Sequence, residues 1–137
     1  MSLTAGTGPF GKRPAGRFNF EPQPPGAAVF WEPVATRVRG LLADEVVVDS
    51  RAAYLLHETG HLPVYYFPAG DVQADILVPS STGSTCPYKG DASYYSVRAG
   101  GELHPDLVWT YRDPIPAVRD IAGLVCFYDE KVELTAA

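Results

Sequence analysis

What this sequence has little of narrows it first. Its 137 residues include only two cysteines, Cys86 and Cys126, and one methionine. Two thiols cannot build a disulfide framework, and their scarcity fits a reducing compartment, so a cytoplasmic protein is expected. No apolar run approaches the ~18 residues that a membrane-spanning helix requires. Residues 1–16 lack an apolar stretch followed by a small-residue cleavage site, so no secretory signal is expected. Basic side chains are outnumbered, 11 Lys and Arg against 16 Asp and Glu, for a net charge of −5. An acidic surface repels phosphates, which argues against nucleic acid as a partner. Walker, G-x-G-x-x-G and G-x-S-x-G motifs are missing, as is any Asp-x-Asp or Asp-x-Glu pair to hold magnesium.

What is present divides unevenly along the chain. Residues 1–33 hold six of the 13 prolines and five of the 13 glycines, and carry a net charge of +1. Residues 34–137 therefore carry −6, and they contain all eight tyrosines. Breakers at that density predict an extended arm over residues 1–33, largely unpaired through Gly26. Its aromatics, Phe10, Phe18, Phe20, Phe30 and Trp31, suit docking onto the body or onto a second copy of the chain. The remaining hundred residues fit one domain.

That domain reads as mainly β with two short helices. Ala35–Arg39 and Glu45–Val48 flank Gly40–Asp44 as a hairpin. Asp49 or Ser50 caps a predicted helix over Arg51–Glu58, where Ala52, Leu55 and Leu56 share a face and Gly60 is the stop. Val64–Phe67 follows as a strand, and Asp71 caps a second predicted helix reaching Leu77. Pro79–Thr85 reads as a loop, with further strands at Ser93–Arg98, Leu107–Tyr111 and Ile121–Tyr128. The last strand is apolar on both faces and is expected to be central.

Two segments carry candidate chemistry. His57-Glu58-Thr59-Gly60-His61 spells H-E-x-x-H, the zinc-peptidase pattern, which works only where one continuous helix brings its two histidines together. Gly60 interrupts that helix, Pro63 follows it, and no third ligand is in view, so neither a zinc hydrolase nor any metal or cofactor is expected. In Cys86-Pro87-Tyr88-Lys89-Gly90, Pro87 favours a turn and Gly90 a left-handed exit. Such a turn brings Lys89 near Cys86, where an ammonium favours the thiolate. The plain alternative is a buried filler thiol beside a solvated lysine.

The order of these motifs resembles a known family. Val46-Val-Val-Asp49-Ser50, Glu58, Val64-Tyr-Tyr-Phe-Pro68 and Asp71-Val72 are followed by the Cys86–Gly90 turn. Tyr94-Tyr95, Trp109-Thr-Tyr111, Pro114, Ile121-Ala-Gly123 and Phe127-Tyr128 complete the series. Over roughly residues 36–133 the chain is similar to the domain of unknown function 427 family, which carries a nucleotidyltransferase label. The resemblance implies a compact domain of antiparallel sheets like the β-tent fold of Mss4-like proteins, methionine sulfoxide reductase B and the thalidomide-binding domain of cereblon. The paired C-x-x-C zinc sites of many β-tent proteins are missing here.

Positions that match the family's motif mix polar and aromatic types: Glu58, Tyr66, Cys86, Lys89, Tyr94 and Trp109. The first expectation is a pocket for a small polar or aromatic ligand. Tyr66, Tyr88, Tyr94, Trp109 and Tyr111 would bind that ligand, with Glu58 and Lys89 as charged anchors. The alternative is an enzyme in which Cys86 is the nucleophile or redox thiol, Lys89 lowers its pKa and Glu58 relays protons. A third reading, from the label alone, is nucleotidyl transfer.

Overall fold

The computed structural model describes residues 7–9, 13, 15–20 and 28–136. The expectation of an extended arm over residues 1–26 falls largely outside them, as does Phe10. Ten strands follow in order: β1 (Val29–Pro33), β2 (Val38–Leu42), β3 (Glu45–Ser50), β4 (Tyr54–Glu58), β5 (Val64–Tyr66), β6 (Leu77–Cys86), β7 (Gly90–Ala99), β8 (Glu102–Thr110), β9 (Val125–Phe127) and β10 (Glu133–Ala136). Short 3₁₀ turns at Ala69–Asp71 and Pro116–Ile121 are the helical elements among the described residues. The fold is mainly β, in three antiparallel sheets ordered β1-β4-β5, β10-β2-β3 and β6-β7-β8-β9.

The first and third sheets meet at a single bridge. Phe67, directly after β5, exchanges two 2.8 Å backbone hydrogen bonds with Val125 of β9. Period-two alternation then sorts side chains onto two faces of the joined sheets. One face carries Ala53, Phe67, Val97, Val108, Val125 and Phe127, and packs against Val38, Leu42, Val47, Val48 and Val132. The other carries Leu56, Tyr66, Ala92, Tyr111 and Cys126, closed by Val118 and Ile121 from the second 3₁₀ turn. Around this second core pack Trp31, Tyr54, Val64, Cys86, Tyr94 and Trp109, and this is the face on which the candidate residues gather.

The β2–β3 hairpin forms, with tighter ends than expected. Leu42 pairs with Glu45, and Ala43 and Asp44 both take positive φ, as a two-residue turn of the primed kind requires. Both expected helices are corrected. Residues 51–58 place a bend before β4, and the Ser50 hydroxyl accepts the Ala52 amide at 3.0 Å, a turn contact in place of a helix cap. Leu55 and Leu56 then lie on opposite faces of a strand that pairs with β1 on one side and β5 on the other. The second helix is replaced by the 3₁₀ turn Ala69–Asp71, and Asp75 at φ 64 keeps the chain out of a helix.

Pro79–Thr85, expected as a loop, lies within β6, a ten-residue edge strand whose exposed face accounts for its Ser and Thr. Segment 29–33, expected to belong to the arm, is the strand β1, whose Trp31 indole N–H donates to Asp120 at 3.3 Å. The expected last strand is shorter, Val125–Phe127, because the second 3₁₀ turn takes Ile121. All three of its residues are buried, since β8 pairs with one side of it and Phe67 bridges the other. Among the described residues, no helix is long and apolar enough to cross a membrane.

Candidate functional site

The Cys86–Gly90 segment forms the expected turn. The Lys89 amide donates to the Cys86 carbonyl at 3.2 Å, and Gly90 leaves the turn at φ 120. A side chain at Gly90 would press on Pro114 Cα at 3.3 Å, so glycine serves both the conformation and the close approach. The Lys89 carbonyl accepts the Ile115 amide at 2.9 Å, which ties the turn to the segment entering the second 3₁₀ element.

This anchoring sends the Lys89 side chain inward. The residue is only 8% exposed, and its Nζ lies 2.5 Å from Glu58 Oε1 on β4. The ammonium also stands 5.4 Å from the centre of the Tyr111 ring. Burial works against the charge, but the hydrogen bond to Glu58 and the fields of Tyr111 and Glu58 outweigh it and raise the Lys89 pKa. Tyr111 is raised by its own burial, partly offset by Lys89.

Tyr66, fully buried on β5, accepts the Trp109 indole N–H at 3.1 Å across the sheet junction. Burial drives the Tyr66 hydroxyl far above the usual phenol range, so it is a neutral hydrogen-bonding group at physiological pH. Trp109 in turn meets Tyr128 with ring centres 4.6 Å apart and planes tilted by 58°. Burial, and the neighbouring Tyr94 hydroxyl, raise Tyr128. Tyr94 itself shares a 3.0 Å hydrogen bond with Ser84 on β6.

A cavity of about 450 Å³ opens against this arrangement. Of the sequence-expected residues, Glu58, Tyr66, Lys89 and Trp109 line it together. Cys86, Tyr94 and Tyr111 pack with the second core beside them. Tyr88, at 51% exposure, points outward from the turn and joins neither group. The lining also includes residues that sequence reasoning missed, among them Leu62, Tyr128, Asp129 and Glu130. One signal for Tyr128 was available: it stands two residues after Cys126, where alternation from β9 carries it to the same face.

H-E-x-x-H lies on β4 and the turn after it, with Gly60 at φ 82. Consecutive strand residues face opposite ways, so His57 is buried near Phe30 and Glu32 while Glu58 faces the cavity. His61 is exposed, 3.8 Å from the second oxygen of Glu58. Among the described residues no three His, Cys, Asp or Glu side chains are grouped to hold a metal.

A search of curated proteins finds no match to the chain. A family described as a domain of unknown function, number 427, matches residues 30–137, from the second residue of β1 to the end of the sequence. That span holds the turn, the ion pair and the cavity, and the chain belongs to this family.

Proposed function

We propose that this domain binds a small polar or aromatic ligand in the cavity lined by Glu58, Tyr66, Lys89 and Trp109. The observation that carries the reading is a largely buried ion pair placed on the wall of a cavity of about 450 Å³, beside an indole. Binding pockets commonly enclose about 300–1,000 Å³, with mostly apolar walls and a few fixed polar groups, and this lining has that mixture. Burying an ion pair removes two charges from water, and the attraction between them often does no more than offset that cost. Its position at a cavity wall therefore supports a binding role.

The family resemblance and the three small antiparallel sheets support a β-tent arrangement at finer grain. The two free thiols support a cytoplasmic location. A thiol enzyme has less support, because Cys86 packs with the second core and is absent from the cavity lining.

The test is a thermal-shift screen of small polar and aromatic compounds against the native chain, Trp109→Ala and Lys89→Ala. Compounds that raise the melting temperature of the native protein lose that effect in Trp109→Ala, and their effect changes in Lys89→Ala, which strips the ammonium from the wall. Stabilisation that persists in both would place binding elsewhere. Trp109→Phe, which keeps an aromatic wall, serves as the folded control.

A further inference from the structure

Charge and hydrogen bonding in the cavity select among polar ligands. Lys89 is the sole lysine or arginine among the lining residues, and its Nζ is already held 2.5 Å from Glu58. The Trp109 N–H is likewise engaged, donating to Tyr66. What remains presented is the aromatic corner of Trp109 and Tyr128, apolar wall from Leu56, Leu62 and Val64, the exposed His61 imidazole 3.8 Å from Glu58, and two carboxylates, Asp129 and Glu130. Neither carboxylate forms an ion pair among the described residues.

Aromatic faces carry a negative quadrupole that attracts cations, and exposed carboxylates add to the same field. An anionic ligand would meet those carboxylates with no unengaged Lys or Arg in the lining to receive it. We propose that the pocket takes a cation with an apolar body, a protonated or quaternary amine. The charge sits against the Trp109–Tyr128 corner, in the cavity that Asp129 and Glu130 also line, and the body lies along Leu62 and Val64. This rests on the pocket reading above, and it also turns nucleotide phosphates away from the site.

Three probes that share one phenyl group separate the possibilities: benzyltrimethylammonium, benzyl alcohol and phenylacetate, titrated calorimetrically into the full chain. The cation is expected to bind at least about tenfold tighter than the other two, because cation–π contact and two carboxylates both act on it. The double variant Asp129→Asn/Glu130→Gln, exposed and conservative, is expected to weaken the cation about tenfold and leave benzyl alcohol unchanged. Phenylacetate or benzyl alcohol binding as tightly as the cation in a Trp109-dependent way would overturn the inference and leave the pocket standing. Equal affinity of the cation for the native chain and the double variant would also overturn it. Failure of all three probes overturns it as well, and the separate compound screen then decides the pocket itself.

Discussion

Lys89 and Glu58 lie 31 residues apart in the chain and depend on each other in the fold. Replacing Lys89 with methionine keeps the aliphatic stem but leaves a poorly solvated carboxylate without its ammonium. We expect a loss of about 2 kcal/mol, below the usual range for a fully buried pair because Glu58 keeps some contact with water. Urea denaturation measures it, and adding Glu58→Gln should restore most of the loss, because no charge is then stranded. Independent, additive costs in that cycle would contradict the pairing.

The same residues set the response to alkali. Lys89, Tyr66 and Tyr111 all have pKa values raised above their unfolded ones, so the folded state favours their protonated forms. Their stabilisation is complete below the unfolded values of 10.0 and 10.5, and is lost as pH climbs through the folded ones. Melting temperature should therefore hold steady below about pH 9.5 and fall above it, with a gentler fall in Tyr111→Phe. A curve insensitive to that substitution would remove Tyr111 from the account. The residue types of the site were legible through the family resemblance, because Glu58, Lys89, Tyr66 and Trp109 stand at positions that match its motif. Their partnerships were not legible, because a contact across 31 residues leaves no local spacing. Tyr88 shows the converse: membership of the turn motif says nothing about which way a side chain leaves it.

At the scale of elements, alternation was the dependable signal and helical spacing the misleading one. Ala52, Leu55 and Leu56 fit an i, i+3, i+4 face, but β4 is flanked by strands and buries side chains on both faces, so a short apolar run satisfies either pattern. Ser50 offers its hydroxyl to a backbone amide two residues on, chemistry that serves a turn as well as a cap. The Ser and Thr of β6 look like a loop only if the strand's exposed edge is unknown.

Gly40 tests how tightly the elements fit. It sits where β2 slips register against β3, and it pairs with Leu134 of β10 on its other side. A methyl group there would come within 2.7 Å of Val48 Cγ1 and 2.9 Å of Leu134 Cδ2. Gly40→Ala is expected to destabilise by about 2 kcal/mol through overpacking, read from the urea midpoint at unchanged slope. Simultaneous Leu134→Ala should recover part of the loss by clearing one of the two contacts, and no recovery would put the strain elsewhere.

For the whole molecule, the governing fact is that two cores share one set of strands. The cavity lies against one core, and the sheet β10-β2-β3 covers the other. The ion pair ties β4 to the turn between β6 and β7, so the site spans both sheets that the Phe67–Val125 bridge joins. The −6 carried by residues 34–137 places the acidic excess on the folded part that bears the cavity.

The bridge between Phe67 and Val125 has a consequence for isotope exchange with solvent. Both residues are almost wholly buried, and each gives its amide proton to the other's carbonyl. Val125 opens β9 and Phe67 follows β5, but both are enclosed, so fraying of a strand end alone does not bring water to their amides. Their deuteration requires the two joined sheets to part. These two protons should be among the slowest in the chain to be replaced in D₂O, at a rate that follows global unfolding as urea is added. Early loss of the pair, while the interiors of β7 and β8 stay protected, would show that the molecule opens like a book along this spine.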